Sequence, residues 1–276
     1  MHQNKTYLTS AIIIDDDATD QQLAEERKKT IVTQPVDVDI EITKKIRQRL
    51  PTMQLSKFYN IELIEIGIDE AGRGPLFGRV YAGAVVLPKD DSFDHNSMKD
   101  SKKFHSKKKI EDVAEYIKEN AIAWAVEYED ERTIDEINIL QATQSAMHKA
   151  AKSAIKQLFT KDDSCDIDNI LLLVDGNYFK QCITLNKTKT KLETVKYVTI
   201  EGGDNKYTSI AAASILAKVE RDKYIENLCI ENPDLIERYN IDSNKGYGAK
   251  KHMDGIEQYG ITKWHRKSFG ICKRFV

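Results

Sequence analysis

The chain carries two adjacent carboxylates, Asp69 and Glu70, at the end of a strand-like apolar run over residues 61–68. A glycine-rich turn with one arginine, Gly72-Arg73-Gly74, follows at once, and a second strand-like run covers residues 80–87. Acids at the end of a buried strand are costly unless something cationic meets them. Glycines beside them leave backbone amides exposed and allow close approach. This stretch predicts a site for metal ions and a phosphate backbone, although a polar strand end before an ordinary hairpin is commoner for an isolated acid pair.

Composition indicates a soluble globular protein and gives no bulk-charge signature of nucleic-acid binding. The chain has 276 residues, 41% of them hydrophobic and 31% charged, with a net charge of -2. That length suits one large domain or two small ones. A net charge near zero restricts any nucleic-acid-binding surface to a local patch. No apolar run is long enough to span a membrane, and the N-terminus lacks a basic-then-apolar secretory pattern.

The number and spacing of the cysteines indicate the redox state of the cellular compartment. The four cysteines are widely spaced and form no Cys-x-x-Cys pair: Cys165, Cys182, Cys229 and Cys272. Such spacing favours a reducing compartment and disfavours structural zinc. We therefore expect a cytoplasmic protein.

The order of strand-like and helical patterns predicts an α/β fold. Strand patterns occur at residues 61–68, 80–87, 121–128, 170–174 and 195–200, and helical patterns at 106–120, from Thr133 onward, 207–230, 233–239 and 250–259. This order predicts a mixed five-stranded sheet flanked by helices, with a C-terminal helical region. Three regions are expected: an N-terminal extension over residues 1–60 that is partly disordered, a core over 61–240, and a basic C-terminal region over 241–276 packed on the core.

Three of the five predicted strands end in acids, because Asp175 ends the fourth and Asp204 follows the fifth. Ligands in open α/β sheets gather beyond the carboxyl ends of strands, so four carboxylates converge if the first, fourth and fifth strands lie side by side. They would repel one another unless cations lay among them. All-oxygen ligands suit magnesium or manganese, and two such ions about 4 Å apart serve phosphoryl transfer. Alternatively, Asp204 is only a favourable charge near a helix N-terminus.

Two further stretches carry weaker signals. The helix after Asp204 is rich in small residues, which either let it lie close to the sheet behind the site or reflect helix propensity alone. The C-terminal stretch interleaves aromatic residues with Lys245, Lys250, Lys251, Lys263, Arg266, Lys267, Lys273 and Arg274. Cations with aromatics suit phosphate contacts and stacking, and a solvated lysine-rich tail is the alternative.

Six ordered blocks together resemble the type 2 ribonuclease H family, ribonuclease HII. The blocks are residues 67–76, Asp100-Ser101-Lys102-Lys103, Val174-Asp175-Gly176-Asn177, Gly203-Asp204 with residues 209–222, Lys245-Gly246-Tyr247, and His265-Arg266-Lys267-Ser268-Phe269. The likeness covers roughly residues 64–270 in the family's order, which chance would not supply. An aspartate at position 204, where the related type HIII has glutamate, favours type HII.

The resemblance implies a ribonuclease H-like fold and endonucleolytic cleavage that leaves 5′-phosphomonoesters. The implied substrates and partners are RNA–DNA hybrids and duplex DNA with single embedded ribonucleotides, and whether a sliding-clamp-type protein partner exists stays open. The implied setting is ribonucleotide excision repair and DNA replication, by a monomer without a membrane. The implied cofactors are two Mn²⁺ or Mg²⁺ ions, held by the catalytic acids Asp69, Glu70, Asp175 and Asp204.

The resemblance also assigns substrate contacts. Gly72, Arg73 and Gly74 match the turn that reads the 2′-hydroxyl, and Tyr247 matches the tyrosine that packs on the sugar beyond the ribonucleotide. Further substrate contacts are expected at Lys102, Lys103, Ser209 and Arg221. Only the 2′-hydroxyl distinguishes RNA from DNA at one position, so a sugar reader is what such an enzyme needs.

Some features depart from the family, and other functions compete. Phe77-Gly78-Arg79 stands where the family has a small residue and a proline, and the loop over residues 178–194 is long and lysine-rich.

One rival function is that of another two-metal nuclease, of the resolvase or integrase type, which would not need Arg73 and Tyr247. A non-catalytic hybrid-binding protein would gain nothing from four acids. A nucleotide-binding phosphate loop would need a Gly-Lys-Ser/Thr ending.

Overall fold

The structure, a computed structural model, describes residues 54–276. Its strands are β1 Ile64–Ala71, β2 Val80–Val86, β3 Ala123–Glu129, β4 Ile170–Asp175, β5 Ile183–Leu185, β6 Leu192–Thr194 and β7 Lys196–Ile200. Five of them form one sheet in the order β3-β2-β1-β4-β7. The pairs β3–β2 and β2–β1 are antiparallel, and the pairs β1–β4 and β4–β7 are parallel. The predicted mixed five-stranded sheet is confirmed, with the first, fourth and last strands side by side.

Helices cover both faces of this sheet. They are α1 Lys107–Asn120, α2 Glu131–Lys161, α3 Thr208–Glu231, α4 Asp234–Tyr239, α5 Ile241–Asn244 and α6 Lys250–Tyr259. Helix α2 packs on one face through residues such as Met147 and Leu158. Helices α1 and α3 pack on the other face through residues such as Ile117 and Leu216. The last three helices close a smaller apolar cluster around Phe77.

Helix α3 lies unusually close to the middle of the sheet. A Cβ built on Gly67 in β1 would stand 2.2 Å from the carbonyl carbon of Ser209. A Cβ built on Gly83 in β2 would stand 2.3 Å from the carbonyl oxygen of Ala213. Glycines in the strands and small residues in the helix therefore permit this approach. The expected close contact between this helix and the sheet is confirmed.

Several local predictions needed correction. Strand β1 extends through Ala71, so the two adjacent acids belong to its last residues and do not follow it. The cap of α2 is Asp130, whose Oδ1 accepts from the amide of Thr133 at 2.8 Å, so the helix starts before Thr133, where the sequence pattern placed its beginning. Inside α2, Asn138 has φ 67°, which kinks the helix. The predicted polar loop over residues 178–194 contains a hairpin, because β5 pairs with β6.

The segment 54–60, assigned from sequence to the extension, is attached to the core. The amide of Ser56 donates to the carbonyl of Lys206 at 2.8 Å, and its carbonyl accepts from the amide of Thr208 at 3.0 Å. The rest of the predicted extension, residues 1–53 of the predicted 1–60, lies outside the described residues. Among residues 54–276, no helix is both long and apolar enough to cross a membrane, and the four cysteines are buried and free.

Candidate active site

The sheet brings the four predicted acids to one edge. Asp69 and Glu70 lie at the end of β1, and Asp175 is the last residue of β4. These strands are parallel neighbours, with Ile68 opposite Val174 in the register. Asp204 lies in the short 3-10 turn Gly203–Asn205 that follows β7. The carboxyl ends of three adjacent strands therefore place the acids together, as the sequence predicted.

The charge of Asp175 raises the pKa of each of the other three acids, so Asp175 is their shared neighbour. Burial raises the pKa of Asp69 well above its usual value, and the charges of Glu70 and Asp175 raise it further. Burial also raises the pKa of Glu70, with Arg73 opposing and Asp175 reinforcing that rise. The pKa of Asp204 is raised by burial, by Asp100 and by Asp175. Mutually repelling, desolvated carboxylates of this kind favour bound cations.

Each acid also has a local hydrogen-bond partner. Oε1 of Glu70 lies 3.2 Å from Nη1 of Arg73. Oδ1 of Asp175 accepts from the amide of Gly203 at 2.6 Å, and Oδ1 of Asp204 accepts from Nδ2 of Asn205 at 2.9 Å. Among residues 54–276, no three acidic, histidine or cysteine side chains are grouped closely enough to enclose a metal ion. The donor chemistry fits hard divalent cations, and the assignment of the four acids as ligands stays a prediction.

The Asp-Ser-Lys-Lys segment lies beside these acids. Lys102 is exposed, and its charge lowers the pKa of both Glu70 and Asp204 against the raising effect of burial. Nζ of Lys103 donates to Oδ1 of Asn205. Asp100 is a further acid of the site that was not predicted, although it stands inside a segment already recognised from sequence. Its nearness to Asp204 is the reason that it raises the pKa of that residue.

Two expected substrate contacts lie inside the protein. Ser209 is buried against β1, and its hydroxyl lacks a hydrogen-bond partner among the described residues. Arg221 is only 2% exposed. Its guanidinium donates to the carbonyl of Lys245 at 2.9 Å and lies 5.9 Å from the ring centre of Tyr247. These placements suit residues that support the site from behind, and they offer no surface for a direct contact.

The turn Gly72-Arg73-Gly74 lies between the acids and Tyr247. On one side, Arg73 pairs with Glu70. On the other side, a Cβ built on Gly74 would lie 3.5 Å from Cε1 of Tyr247. Tyr247 itself is 51% exposed. The two parts of the predicted sugar reader are therefore neighbours, although 172 residues of sequence lie between Gly74 and Tyr247.

Some basic side chains of the C-terminal stretch face solvent, and others are buried. Lys250 and Arg274 are exposed and pair with Asp254 and Glu257. Arg266, which the sequence grouped with these cations, is fully buried. Its inclusion among residues suited to phosphate contacts was wrong, because its guanidinium is directed at main-chain carbonyls around the glycine-rich turn.

Comparisons with known proteins identify the family of the chain. Residues 66–272 match the family model described as Ribonuclease HII. A ribonuclease HII from Bacteroides fragilis is 42% identical over 217 residues, which cover 79% of this chain and 94% of the relative.

Solved structures match in fold. The ribonuclease HII of Archaeoglobus fulgidus, solved in complex with PCNA, has a TM-score of 0.55 at 22% identity and covers 76% of this chain and 96% of its own. Bst-RNase HIII in complex with Mn²⁺ has a TM-score of 0.54 at 17% identity, with 77% and 69% of the two chains covered. The family match and the sequence identity over most of the chain confirm the resemblance noted from its motifs, and the chain belongs to the ribonuclease HII family of ribonuclease H enzymes.

Proposed function

We propose that this ribonuclease H cuts the RNA strand of RNA–DNA hybrids and cuts duplex DNA at single embedded ribonucleotides. The observation that carries the proposal is the position of the Gly72-Arg73-Gly74 turn, with Glu70 on one side and Tyr247 on the other. A group that contacts the sugar there lies next to the acids that would perform the cut. This arrangement supports reading of the sugar at the cleaved phosphate, independently of the base.

The chemistry assigned to the acids is phosphodiester hydrolysis. Asp69, Glu70, Asp175 and Asp204 would hold two divalent cations, Mg²⁺ or Mn²⁺, and the charge of Asp175 already acts on the other three acids. When bound, two such ions activate a water molecule and stabilise the leaving oxygen. Attack by water on the phosphorus, with the P–O3′ bond broken and O3′ leaving as a 3′-hydroxyl, leaves a 5′-phosphomonoester. The neighbouring Lys102 and Lys103 supply positive charge for the phosphate backbone.

Sugar reading is assigned to the turn and the tyrosine together. The Gly72-Arg73-Gly74 turn has solvent-facing main-chain groups that can hydrogen-bond a 2′-hydroxyl. The half-exposed Tyr247 ring can pack on the next sugar, where it excludes a 2′-hydroxyl. Such a pair selects a ribose-to-deoxyribose step. A buried polar group left without its partner costs roughly 1–3 kcal/mol, which disfavours plain DNA.

A substrate panel tests this proposal. Four duplexes of one sequence would be compared: all DNA, one embedded ribonucleotide, a full RNA–DNA hybrid, and one embedded 2′-O-methyl ribonucleotide. Each would be incubated with Mg²⁺, with Mn²⁺ and with a chelator, and the product ends would be mapped.

We expect cleavage of the hybrid and of the single-ribonucleotide duplex, 5′-phosphate ends, and no cleavage with chelator. We expect the all-DNA and 2′-O-methyl duplexes to stay intact. Equal cleavage of the all-DNA duplex would favour the resolvase-type rival. Binding of hybrid without any cleavage in either metal would favour a non-catalytic protein.

A further inference from the structure

Arg266 is fully buried, and each of its five N–H donors meets a different main-chain carbonyl. A guanidinium has five donors and no acceptor, so this side chain is saturated. The carbonyls belong to Gly72 at 2.6 Å, Arg73 at 2.9 Å, Pro75 at 2.9 Å, Gly78 at 2.8 Å and Arg79 at 3.2 Å. The whole segment from residue 72 to residue 79 is therefore wrapped around one side chain from the far end of the chain.

This wrapping fixes which way the amides of the turn point. In a planar trans peptide, the C=O and the N–H lie on opposite sides. The carbonyls of Gly72 and Arg73 face Arg266, so the N–H groups of Arg73 and Gly74 face away from it. The same segment offers a check: the carbonyl of Pro75 also faces Arg266, and the amide on the far side of that peptide, at Leu76, donates to Gly246 at 2.8 Å.

The two outward amides are free to bind something else. Among residues 54–276, neither the N–H of Arg73 nor that of Gly74 has a hydrogen-bond acceptor, and both residues are exposed. Consecutive N–H groups directed to one side form a concave site for an electronegative atom. The flanking contacts with Glu70 and Tyr247 place this site between the acids and the tyrosine ring.

We propose that Arg266 is a positioning residue for ribose recognition: it holds the Gly72–Gly74 turn so that the amides of Arg73 and Gly74 face the 2′-oxygen of the substrate. This inference rests on the proposed function. Lysine could not replace Arg266, because an ammonium has three donors and no fixed plane. Burial and the nearby Arg221 lower the pKa of Arg266 to about 9, which leaves it charged at neutral pH.

The first test measures ribose discrimination by the full-length chain in chelator, which prevents cleavage. Binding to a duplex with one ribonucleotide and to the matched all-DNA duplex would be measured by fluorescence anisotropy for the wild type and Arg266→Lys. Leu158→Ala serves as the control for stability alone, because Leu158 is buried in the α2 face of the sheet. We expect Arg266→Lys to lose roughly tenfold in the ratio of the two affinities, and Leu158→Ala to keep the wild-type ratio despite a lower melting temperature.

The outcomes separate the inference from the function on which it rests. Equal binding of both duplexes by the wild type would contradict the proposed recognition of the ribose. The proposed role of Arg266 would then be contradicted as well. Discrimination by the wild type, kept in full by a folded Arg266→Lys variant, would overturn the inference alone. A loss of the ratio in Leu158→Ala as large as that in Arg266→Lys would likewise overturn it, because general destabilisation would then explain both.

A second measurement needs only the wild type, and therefore decides the matter even if Arg266→Lys does not fold. A guanidinium bonded through all its donors cannot rotate, so Arg266 should give separate, slowly exchanging NMR signals for its Nη protons. The amide signals of Arg73 and Gly74 should shift on addition of the single-ribonucleotide duplex, and much less with all-DNA duplex. Averaged Nη signals, or equal amide shifts with both duplexes, would overturn the inference.

Discussion

The replacement of Asp69 by asparagine should make the metal-free protein more stable. Asp69 is only 5% exposed, and its pKa is raised by burial and by the charges of Glu70 and Asp175. Asparagine has nearly the same shape, and its Oδ1 can still accept from the amide of Glu70, now 2.7 Å from the carboxylate oxygen. The substitution therefore removes a costly charge without opening a cavity.

The size and sign of this effect follow from the raised pKa. Each unit by which folding raises a carboxyl pKa destabilises the folded protein by about 1.4 kcal/mol at neutral pH. For a buried carboxylate beside two like charges, we expect a gain of roughly 1–3 kcal/mol, at about 2–4 °C of melting temperature for each kcal/mol. The stability cost of Asp69 is complete only above its raised pKa in the folded state. Below that pKa the folded protein holds the proton more tightly than the unfolded chain does, so the gain from Asp69→Asn shrinks as pH falls. The gain vanishes near the unfolded-state pKa of about 3.9.

Thermal melts of the wild type and Asp69→Asn in chelator, at neutral pH and at several acidic pH values, measure the effect. Asp112→Asn is the control, because Asp112 is an exposed acid of α1 and takes part in none of the ion pairs between described residues. The control should melt within about 1 °C of the wild type. An Asp69→Asn variant that melts at or below the wild-type temperature at neutral pH would refute the view that this charge is held at a cost.

Three further predictions concern other parts of the molecule. Tyr247→Ala should lower cleavage at a single embedded ribonucleotide far more than it lowers the melting temperature, since the residue is half exposed; a loss explained fully by unfolding would remove Tyr247 from the site. Gly83→Ala should destabilise the protein by roughly 1–3 kcal/mol in urea unfolding, because the new Cβ would stand 2.3 Å from the carbonyl oxygen of Ala213; an unchanged midpoint would contradict that close approach. Burial and the neighbouring His252 lower the pKa of His265 to about 3, so the fold favours the neutral ring and loses stability as pH falls below about 6.5; NMR signals of His265 that titrate between pH 8 and 5 would contradict this.

The sheet and its acids could be predicted because they depend on short-range patterns. Alternating and continuous apolar runs predicted all five strands of the main sheet to within a few residues. The acids at three strand ends could share one site only if the first, fourth and fifth predicted strands were neighbours, and the sheet order meets that condition. The start of α2 was misjudged because two capping residues, Asp130 and Thr133, stand three positions apart. The hairpin at 183–194 was missed because its strands have three residues each, too short for a clear period.

The supports of the site were harder to predict. A stretch of arginines, lysines and aromatics has the same composition whether a given cation points to solvent or into the protein. Arg221 and Arg266 point inward and donate to main-chain carbonyls of turned segments that are distant from them in sequence. Only the fold brings residue 266 to residue 72, so a one-dimensional pattern could not separate these two arginines from Lys250 or Arg274.

The acids around Asp175 are proposed to hold the cations that cut the substrate. The most direct test is single-turnover cleavage of a duplex with one ribonucleotide, in saturating Mg²⁺ or Mn²⁺, by the wild type and by Asp175→Asn. A thermal melt and the binding of the uncut duplex in chelator would establish that the variant is folded and still binds. We expect the cleavage rate to fall by roughly 100-fold or more, with the fold retained. Near-wild-type cleavage by a folded Asp175→Asn variant would contradict the account.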